Sequence, residues 1–311
     1  MPDLQKEPLI VILGPTASGK TAVSIELAKR FNGEIVSADS RLLYRGMDIG
    51  TAKPTQDEKQ SIPHHLIDVA DPDEIWSLAL YQREAYRIID DIHKRGKLPL
   101  LVGGTGQYIR AIIEGWRIPP QRPDDHLRTV LNHWAEEIGA EGLHEKLKVL
   151  DPEAAHHIDY RNVRRTIRAL EVIFRTGERF SDLRSRQDCR YNPIILGIEH
   201  PRDILYQRID QRIDLMLSEG LVDEVQRLLD EGYPPDMPNF SAIGYAEIIQ
   251  YLQGKITLEE AITLIKRNTR VFVRRQANWF KPGDDRIAWV PAGEDLVEQM
   301  ESIIRRRLDE G

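Results

Sequence analysis

The chain has 311 residues, of which 41% are hydrophobic and 30% are charged, and its formal net charge is −7. No apolar run approaches the ~18 residues of a membrane span, the polar N-terminus lacks the apolar core of a signal peptide, and the single cysteine, Cys189, allows neither an internal disulfide nor a cysteine-cluster zinc site. We therefore expect a cytoplasmic protein of two domains without membrane contact, in which only a local basic patch would favour nucleic acid as a partner.

The first predicted elements are a buried strand, a phosphate-binding loop and a helix. Five apolar residues at 9–13 are too few for a helix and suit a parallel strand. The next eight fit the pattern G-x-x-x-x-G-K-[ST], and apolar residues then recur at helical spacing. Backbone N–H groups, a lysine and a hydroxyl that can hold Mg²⁺ would converge on one point, which predicts a polyphosphate site. The loop consists of Gly14, Pro15, Thr16, Ala17, Ser18, Gly19, Lys20 and Thr21.

A second strand is predicted over residues 34–38, and Asp39 follows it directly. Ligands of an open parallel sheet bind beyond the carboxyl ends of its strands, so we expect Asp39 to lie near the phosphate loop. Its carboxylate either caps a helix that begins near Arg41 or acts as a Mg²⁺ ligand or general base. Position in the sequence does not separate these interpretations.

The segment between the second and third strands holds weaker candidates. Glycines and prolines interrupt any period over residues 44–63, from which Lys53 could reach a phosphate. His64 and His65 are predicted to be structural, because adjacent side chains on an extended chain point to opposite faces. Residues 76–94 then predict an amphipathic helix.

A third buried strand, over residues 98–102, runs into Gly103, Gly104 and Thr105. In P-loop ATPases and GTPases such a strand often ends in an acidic residue that helps to hold Mg²⁺. Its absence here weakens the interpretation as a plain nucleotide hydrolase. It leaves the Thr105 hydroxyl near the site, where the glycines allow backbones to approach closely.

The composition changes after residue 115. Prolines within residues 119–123 predict a linker, and residues 124 to about 190 are predicted to be mostly helical. Residues 161–190 contain nine arginines and four acids, a local charge of +5. Arginine at this density suits phosphate backbones better than a merely solvated face. The residues that we expect to share one helical face, without acids that neutralise them, are Arg161, Arg164, Arg165 and Arg168.

The strand pattern returns at residues 192–198, so the helical block is predicted to be an insertion in the sheet. Helices are predicted over residues 202–231, where Arg208 and Arg212 lie one turn apart. The alternating Asp210 and Asp214 make ion pairs within the helix equally plausible.

The last part of the chain is basic over residues 266–281, where aromatic residues such as Phe272 are more typical of a core than of base stacking. A final edge strand is predicted over residues 286–290. The predicted fold is α/β: a P-loop NTPase-like parallel sheet core with a mostly helical insertion domain. The predicted catalytic core comprises residues 1–118 and 192–311, and the insertion, whose arginines suit phosphate backbones, comprises residues 119–191.

Seven short motifs, in register over residues 9 to about 281, resemble those of bacterial tRNA dimethylallyltransferases. Each motif is modest alone, and the set is highly specific. Position 81 departs slightly, with Tyr where the family pattern has Phe. The motifs are Gly-Pro-Thr-Ala-Ser-Gly-Lys-Thr (14–21), Ser-Ala-Asp-Ser (37–40), Asp-Ile-Gly-Thr-Ala-Lys-Pro (48–54), His-His-Leu-Ile-Asp (64–68), Val-Gly-Gly-Thr-Gly (102–106), Arg-Ala-Leu-Glu (168–171) and Ile-Gly-Tyr (243–245).

The resemblance implies transfer of a dimethylallyl group from dimethylallyl diphosphate to N6 of an adenosine beside the tRNA anticodon. It implies that residues 14–21 hold the donor, with the cofactor Mg²⁺ on Thr21. Lys20, Asp39 and Thr105 would be catalytic, Asp39 as the general base. A monomer that binds the tRNA anticodon stem-loop is expected. The implied tRNA contacts are Asp39, Ser40, Arg41, Leu42, Thr105, Arg128, Arg164, Arg165, Thr166, Ile167 and Arg168.

Three other functions remain open from the residues. They are a small-molecule P-loop kinase, an isopentenyltransferase acting on a free adenine nucleotide, and a nucleotide-dependent switch that binds RNA without chemistry. The arginine-rich insertion favours a macromolecular acceptor over the first two. Asp39 and the missing acidic residue after Val102 argue against the third.

Overall fold

A computed structural model describes residues 6–118, 124–182, 188–281 and 283–310. Its six strands are β1 (Pro8–Leu13), β2 (Gly33–Ser37), β3 (His64–His65), β4 (Leu98–Gly103), β5 (Asn192–Glu199) and β6 (Ile287–Pro291). Its helices are α1 (Lys20–Arg30), α2 (Gln56–Lys59), α3 (Leu78–Lys94), α4 (Gly106–Ile113), α5 (Asp125–Leu150), α6 (Pro152–His157), α7 (Val163–Thr176), α8 (Arg202–Ser218), α9 (Leu221–Asp230), α10 (Tyr245–Leu252), α11 (Leu258–Ala277) and α12 (Leu296–Asp309), with a 3-10 helix at Pro238–Ser241.

The strands form one all-parallel sheet in the order β3-β2-β4-β1-β5-β6, which confirms the predicted α/β fold class. The central strands are continuous apolar runs because a parallel sheet is covered on both faces. In β1, residues 9–13 are at most 1% exposed. The register pairs Leu13 with Gly103, and Ser37 with Val102. The segments that follow β1, β2 and β4 therefore emerge side by side at one edge of the sheet.

Glycines at the end of β4 and just beyond it allow other parts of the chain to pack closely at that edge. A Cβ atom on Gly103 would collide with the backbone of Ala38, and one on Gly104 would collide with the side chain of Gln276 in α11. A Cβ atom on Gly106 would overlap the Trp279 ring. The glycines that replace the acidic residue of other P-loop proteins are thus required by close approach.

The C-terminal elements complete the core beside β1 and α1. Met300 and Ile304 of α12 are fully buried in one cluster with Ile10, Ile12 and Leu27. On the surface above them, Arg30 of α1 pairs with two glutamates of α12, Glu298 and Glu301. The sequence predicted the edge strand β6, and the structure shows that it and α12 belong to the sheet domain.

The chain divides into two compact units. The first is drawn from Met1–Trp76, Tyr81–Ile113 and Arg190–Gly311, and the second from Ser77–Leu80 and Glu114–Cys189. The prolines predicted as a linker, Pro119, Pro120 and Pro123, lie outside the described residues.

Helices dominate the second unit. Long apolar residues of α5 and α7 form its core, among them Leu131, Leu143 and Leu170, which are at most 1% exposed. Gly139 interrupts α5 with left-handed backbone at φ +75°. The chain then forms the short helix α6, which Asp151 caps, and continues into α7. The Asn162 side chain caps α7 by accepting the Arg165 N–H.

Candidate functional site

The phosphate loop lies between β1 and α1 in the conformation that its sequence predicts. Gly19 has φ +88° and Ala17 has φ +62°, so the chain turns through two left-handed residues before α1 begins at Lys20. The Ser18 N–H closes the turn by donating to the Pro15 carbonyl at 3.3 Å. Residues 16–21 line a cleft of about 660 Å³. Gly14 and Pro15 precede the lining residues in the loop, and a Cβ on Gly14 would be 2.8 Å from the Ser18 Oγ atom.

Lys20 is held across this loop. Its Nζ atom donates to the Pro15 carbonyl at 2.6 Å and lies 3.4 Å from the Ser18 hydroxyl. Burial lowers the pKa of Lys20 to about 8, the charge of Asp39 opposes that shift, and the charge of Arg212 adds to it. The ammonium is therefore destabilised when the cleft holds no anion, and a bound polyphosphate would relieve that cost.

Asp39 lies in the same cleft, where the rule for parallel sheets predicts it. Its Oδ1 atom accepts the Arg41 N–H at 2.9 Å, and its own N–H donates to the Ser37 hydroxyl at 3.3 Å. No helix begins near Arg41, so the interpretation of Asp39 as a helix cap is wrong. The side chain instead forms a local Asx turn, which leaves its other carboxylate oxygen without a partner among the described residues.

Thr105 joins the turn after β4 to the turn after β2. Its hydroxyl accepts the Ser40 N–H at 3.1 Å, and its own N–H donates to the Ala38 carbonyl at 3.1 Å. Leu42 lines the cleft, and Arg41 reaches the Asn239 carbonyl at 3.3 Å. The predicted set of Asp39, Ser40, Arg41, Leu42 and Thr105 is therefore one connected surface. The buried Tyr81 holds the end of β2, which leads into this surface, because its hydroxyl donates to the Ser37 carbonyl at 3.0 Å.

Two arginines of α8 reach the phosphate loop, and the sequence left their role open. Arg208 donates from Nε to the Ala17 carbonyl at 2.8 Å, and Arg212 lines the cleft beside Lys20 and Asp39. Burial lowers the pKa of Arg212, while Asp39 counteracts that effect. The acids that could have neutralised them turn to α11 instead: Asp210 pairs with Arg270, and Asp214 pairs with Lys266. The alternative of ion pairs within α8 is therefore wrong.

Two further side chains at the loop were missed altogether. Gln276 of α11 accepts the Thr16 N–H at 3.0 Å and donates to the Gly104 carbonyl at 3.0 Å. His200 donates from its ring to the Ser18 carbonyl at 3.0 Å. Both follow β5 in the chain and carry no motif, so no local pattern could have found them. Their hydrogen bonds hold the backbone of the loop at Thr16 and Ser18.

Lys53 and the histidine pair serve the structure. The Lys53 ammonium is 5% exposed, donates to the Tyr44 carbonyl at 2.7 Å, and pairs with Asp48 and Asp68. A phosphate contact from Lys53 does not fit this arrangement. His65 bonds to the buried Glu34 at 2.8 Å. Within the described ranges no cluster of three or more His, Cys, Asp or Glu could hold a metal, and no helix there is long and apolar enough to cross a membrane.

In the second unit, the predicted tRNA contacts have unequal exposure. Glu171 is fully buried and binds two of the arginines: Arg128 at 3.1 and 3.0 Å, and Arg168 at 2.7 Å. Burial alone would raise the pKa of Glu171, but hydrogen bonds from the Asp124 N–H and both guanidinium groups hold it below its usual range.

The expectation of an arginine face without neutralising acids is therefore wrong in part. Arg168 pairs with Glu171, and Arg161 precedes α7 and pairs with Asp159 at 2.7 Å. Among the described residues, no acid pairs with Arg164 or Arg165. Thr166 and Ile167 are 0% and 5% exposed, so a contact to tRNA through their side chains does not fit this structure.

These observations first define the class of the protein. The sheet is all-parallel, and its first strand leads through a left-handed turn into α1, a P-loop-like α/β fold. Lys20, Arg208 and Arg212 line the cleft at that turn, where positive charge and the N–H groups at the start of α1 suit a polyphosphate. The carboxylate of Asp39 lines the same cleft. The class alone does not distinguish a kinase from another group-transfer enzyme.

Comparison with known proteins narrows the class. A family model described as IPP transferase matches residues 42–283, and one described as isopentenyl transferase matches residues 8–71. A tRNA dimethylallyltransferase of Thermomicrobium roseum is 48% identical over 99% of this chain and 94% of its own length. The crystal structure of full-length tRNA isopentenylpyrophosphate transferase from Bacillus halodurans is 44% identical, with 98% of each chain covered and a TM-score of 0.73.

A eukaryotic dimethylallyltransferase acting on tRNA is more distant in sequence, at 28% identity. Its structure aligns over 97% of this chain and 77% of its own, with a TM-score of 0.81. The family model covers most of the chain, and a relative of nearly the same length is almost half identical. The chain belongs to the IPP transferase family.

Proposed function

We propose that this protein is a tRNA dimethylallyltransferase, which transfers a dimethylallyl group from dimethylallyl diphosphate to N6 of the adenosine beside the tRNA anticodon and releases diphosphate. The observation that carries the proposal is that Asp39 and the phosphate loop line one cleft. A leaving group held by the loop and an acceptor amine beside Asp39 would then lie within reach of each other. The family relationship supports this choice of donor and acceptor.

The residues of the cleft suit an allylic substitution. The bond between C1 of the donor and the diphosphate oxygen breaks, the bond from C1 to adenine N6 forms, and one proton leaves the nitrogen. Lys20, Arg212 and the N–H groups at the start of α1 stabilise the charge that develops on the diphosphate. Asp39 accepts the proton, using the carboxylate oxygen that the Arg41 N–H does not occupy.

Mg²⁺ is the cofactor that we propose, and the chain's own residues fit it. The exposed Thr21 hydroxyl stands at the first turn of α1 beside Lys20, in the position that a P-loop uses for Mg²⁺. Mg²⁺ commonly keeps several waters and binds substrate phosphates, so the lack of a carboxylate cluster in the described residues does not conflict with it. When bound, the ion would neutralise part of the diphosphate charge.

For the acceptor, we propose that tRNA contacts both units. The connected surface of Asp39, Ser40, Arg41, Leu42 and Thr105 would receive the adenine, which must leave its stack to reach the cleft. Arginines of the second unit would bind phosphates of the anticodon stem-loop. The proposed contacts are Arg164 and Arg165, which pair with no acid among the described residues, and Arg128 and Arg168, which share the one negative charge of Glu171 and so keep one net positive charge.

The proposal also has a cellular setting. Because unmodified tRNA is the substrate, we infer action in the cytoplasm. We propose that the protein acts as a monomer. Gel filtration with and without tRNA checks the oligomeric state.

The decisive experiment mixes the protein, Mg²⁺ and unmodified tRNA with radiolabelled dimethylallyl diphosphate, and in parallel with γ-labelled ATP. We expect label from the allylic donor to enter tRNA, and no transfer from ATP. Label transferred from ATP to a small molecule would indicate a kinase. Prenylation of free AMP at a higher rate than of tRNA would indicate an adenine-nucleotide isopentenyltransferase, and either result would overturn the proposal.

A further inference from the structure

The carboxylate of Glu224, in α9, binds three consecutive backbone N–H groups from a distant part of the chain. Its Oε2 atom accepts from Asp48 at 2.9 Å and Ile49 at 2.8 Å, and its Oε1 atom accepts from Gly50 at 3.1 Å. The Tyr245 hydroxyl donates to the same Oε1 atom at 2.6 Å. Glu224 is 6% exposed, so its carboxylate is almost fully enclosed, and four donors satisfy it.

Residues 48–54 form a loop whose first three N–H groups bind Glu224, and we name it the clamped loop. Its Gly50 lies against the Tyr245 ring, where an added Cβ would come within 2.5 Å of Cε2 and 3.0 Å of a Leu221 methyl group. The loop therefore fits its support only with glycine at this position. The sequence assigns no role to the motifs at 48–54 and 243–245. The structure shows that both bind the buried carboxylate of Glu224.

The other side of the clamped loop faces the donor cleft. Thr51, Ala52 and Pro54 line that cleft together with the phosphate loop. Ala52 is held in left-handed backbone, at φ +53°, and its carbonyl accepts a long hydrogen bond of 3.4 Å from Arg212. A left-handed conformation at a residue other than glycine persists only when its surroundings impose it.

We propose that Glu224 is a positioning residue for the donor cleft. By holding the N–H groups of residues 48–50, Glu224 fixes the position of the residues after them, which form one wall of the cleft. The Ala52 carbonyl in that wall in turn orients the Arg212 guanidinium. Glu224 touches neither the donor nor the reacting atoms. The inference rests on the proposed function only in taking an allylic diphosphate as the occupant of the cleft.

The substitution Glu224→Gln separates positioning from simple loss of bulk. The three N–H groups are shared between the two oxygen atoms of the carboxylate, but a glutamine side chain has only one acceptor oxygen. At least one buried N–H therefore loses its partner, and the loop must shift. We expect the KM for dimethylallyl diphosphate, and the Kd for inorganic diphosphate, to rise about tenfold while kcat stays within about twofold. Tyr245→Phe, which removes only the fourth hydrogen bond, should have a smaller effect in the same direction.

Glu247→Gln is the matched control. Glu247 is equally buried, at 4% exposure, and it accepts the Gly244 N–H at 2.8 Å and the Asn268 amide at 2.7 Å. No hydrogen bond joins it to the clamped loop among the described residues. A general loss of stability near α10 would affect both glutamine variants alike, whereas loss of positioning should affect the donor only in Glu224→Gln.

Gly50→Ala provides a test that leaves Glu224 in place, because its Cβ displaces the clamped loop from Tyr245. It should weaken diphosphate binding as Glu224→Gln does, and the double variant should be no worse than the single ones, since both changes act through one loop. Additive effects would overturn the inference. So would a Glu224→Gln protein that binds diphosphate as tightly as Glu247→Gln.

Isothermal titration with inorganic diphosphate, alongside steady-state kinetics, keeps the two proposals apart. A wild-type protein that binds diphosphate without prenylating tRNA would overturn the proposed function, and the comparison of Kd values would still decide the role of Glu224. A wild-type protein that prenylates tRNA, with Glu224→Gln and Glu247→Gln alike in donor KM, would overturn the inference alone.

Discussion

The guanidinium of Arg208 donates a hydrogen bond of 2.8 Å to the carbonyl oxygen of Ala17, a residue of the phosphate loop 191 positions earlier in the chain. Ala17 is one of the two left-handed residues that shape the loop. The contact removes one carbonyl oxygen from the reach of an anion and brings a positive charge to the loop. A helix that follows the last central strand thus takes part in the phosphate site.

The first prediction concerns this pair of arginines. Arg208→Ala and Arg212→Ala should each raise the KM for dimethylallyl diphosphate about 10- to 100-fold, because each removes a cation from beside a bound diphosphate. Donor titrations measure the change, and the affinity for tRNA serves as the internal reference. Arg202→Ala, at the exposed start of the same helix, is the control and should behave as wild type. An unchanged KM in both cleft variants would exclude α8 from the donor site.

The second prediction is a pH dependence of donor binding. Lys20 is charged below its pKa of about 8 and neutral above it, so the donor-free protein loses a cation of the loop as the pH rises. Donor affinity should be level below pH 7 and fall about tenfold per pH unit well above 8, with proton uptake on binding there. Calorimetry in two buffers of different ionisation enthalpy measures that uptake. Lys20→Arg stays charged throughout and should show no such fall over the same range.

The third prediction tests Asp39 as the base. Asp39→Asn retains an oxygen that can accept the Arg41 N–H, so the Asx turn should survive. Transfer should nevertheless slow by about 10²- to 10⁴-fold, the usual contribution of a positioned base. Donor and tRNA affinities should change no more than a few-fold. Single-turnover prenylation measures the rate, and near-normal turnover would leave Asp39 a purely structural residue.

The fourth prediction separates arginines that are free to bind phosphate from those already neutralised. Replacing Arg164 and Arg165 with alanine should lower tRNA affinity and reduce the slope of log K against log salt by about one unit per lost contact. Arg161→Ala should leave the slope unchanged, because Asp159 already neutralises that side chain. Titrations at several salt concentrations supply the slopes. Equal slopes for all three proteins would mean that tRNA is held elsewhere.

The fifth prediction concerns stability. Glu34, 3% exposed in its side chain, accepts hydrogen bonds from Arg95, Lys97 and His65. Hydrogen bonds from Arg95 above all hold its pKa well below the usual range, against the opposing effect of burial. Glu34→Gln should lower the free energy of unfolding by about 2 kcal/mol at pH 7, less than for a fully enclosed pair because Arg95 and Lys97 keep contact with water.

Urea denaturation over a range of pH checks this claim. A depressed folded-state pKa contributes stability above the unfolded value of about 4.3, and that contribution is lost as the pH falls below it. The difference between wild type and Glu34→Gln should therefore be constant from pH 6 to 8 and shrink below pH 4. Glu26→Gln, which breaks an exposed pair with Arg30, should change little. A difference that does not depend on pH would contradict the role of the ionised carboxylate.

Much of the candidate site around the phosphate loop could be predicted from local sequence patterns. The apolar run before Gly14 and the helical spacing after Thr21 predict the strand, loop and helix that the structure shows. Asp39 follows from a general rule, because the carboxyl ends of parallel strands meet at one edge of the sheet. The glycines at 103 and 104 predict a close approach, and the structure shows that the approaching residues are Ala38 and Gln276.

The arginine face of the insertion shows where local reasoning fails. Spacing predicts that Arg164, Arg165 and Arg168 lie on one side of α7, but it does not say which acid each one meets. Glu171 follows Arg168 by three residues and is buried inside the second unit, where it binds both Arg168 and Arg128 of α5. Burial of the glutamate, which depends on the packing of α5 against α7, decides the charge that remains at the surface.

The sequence by itself determined the class of the protein: a parallel α/β sheet, a P-loop and a carboxylate beside it, each encoded within a few consecutive residues. Only the tertiary structure decided that Arg208 and Arg212 face the loop while Asp210 and Asp214 turn to α11, and that Glu224 grips residues 48–50. Periodicity states which side chains share a face of a helix. Which element that face meets depends on how residues more than fifty positions apart pack together, and no local pattern encodes that.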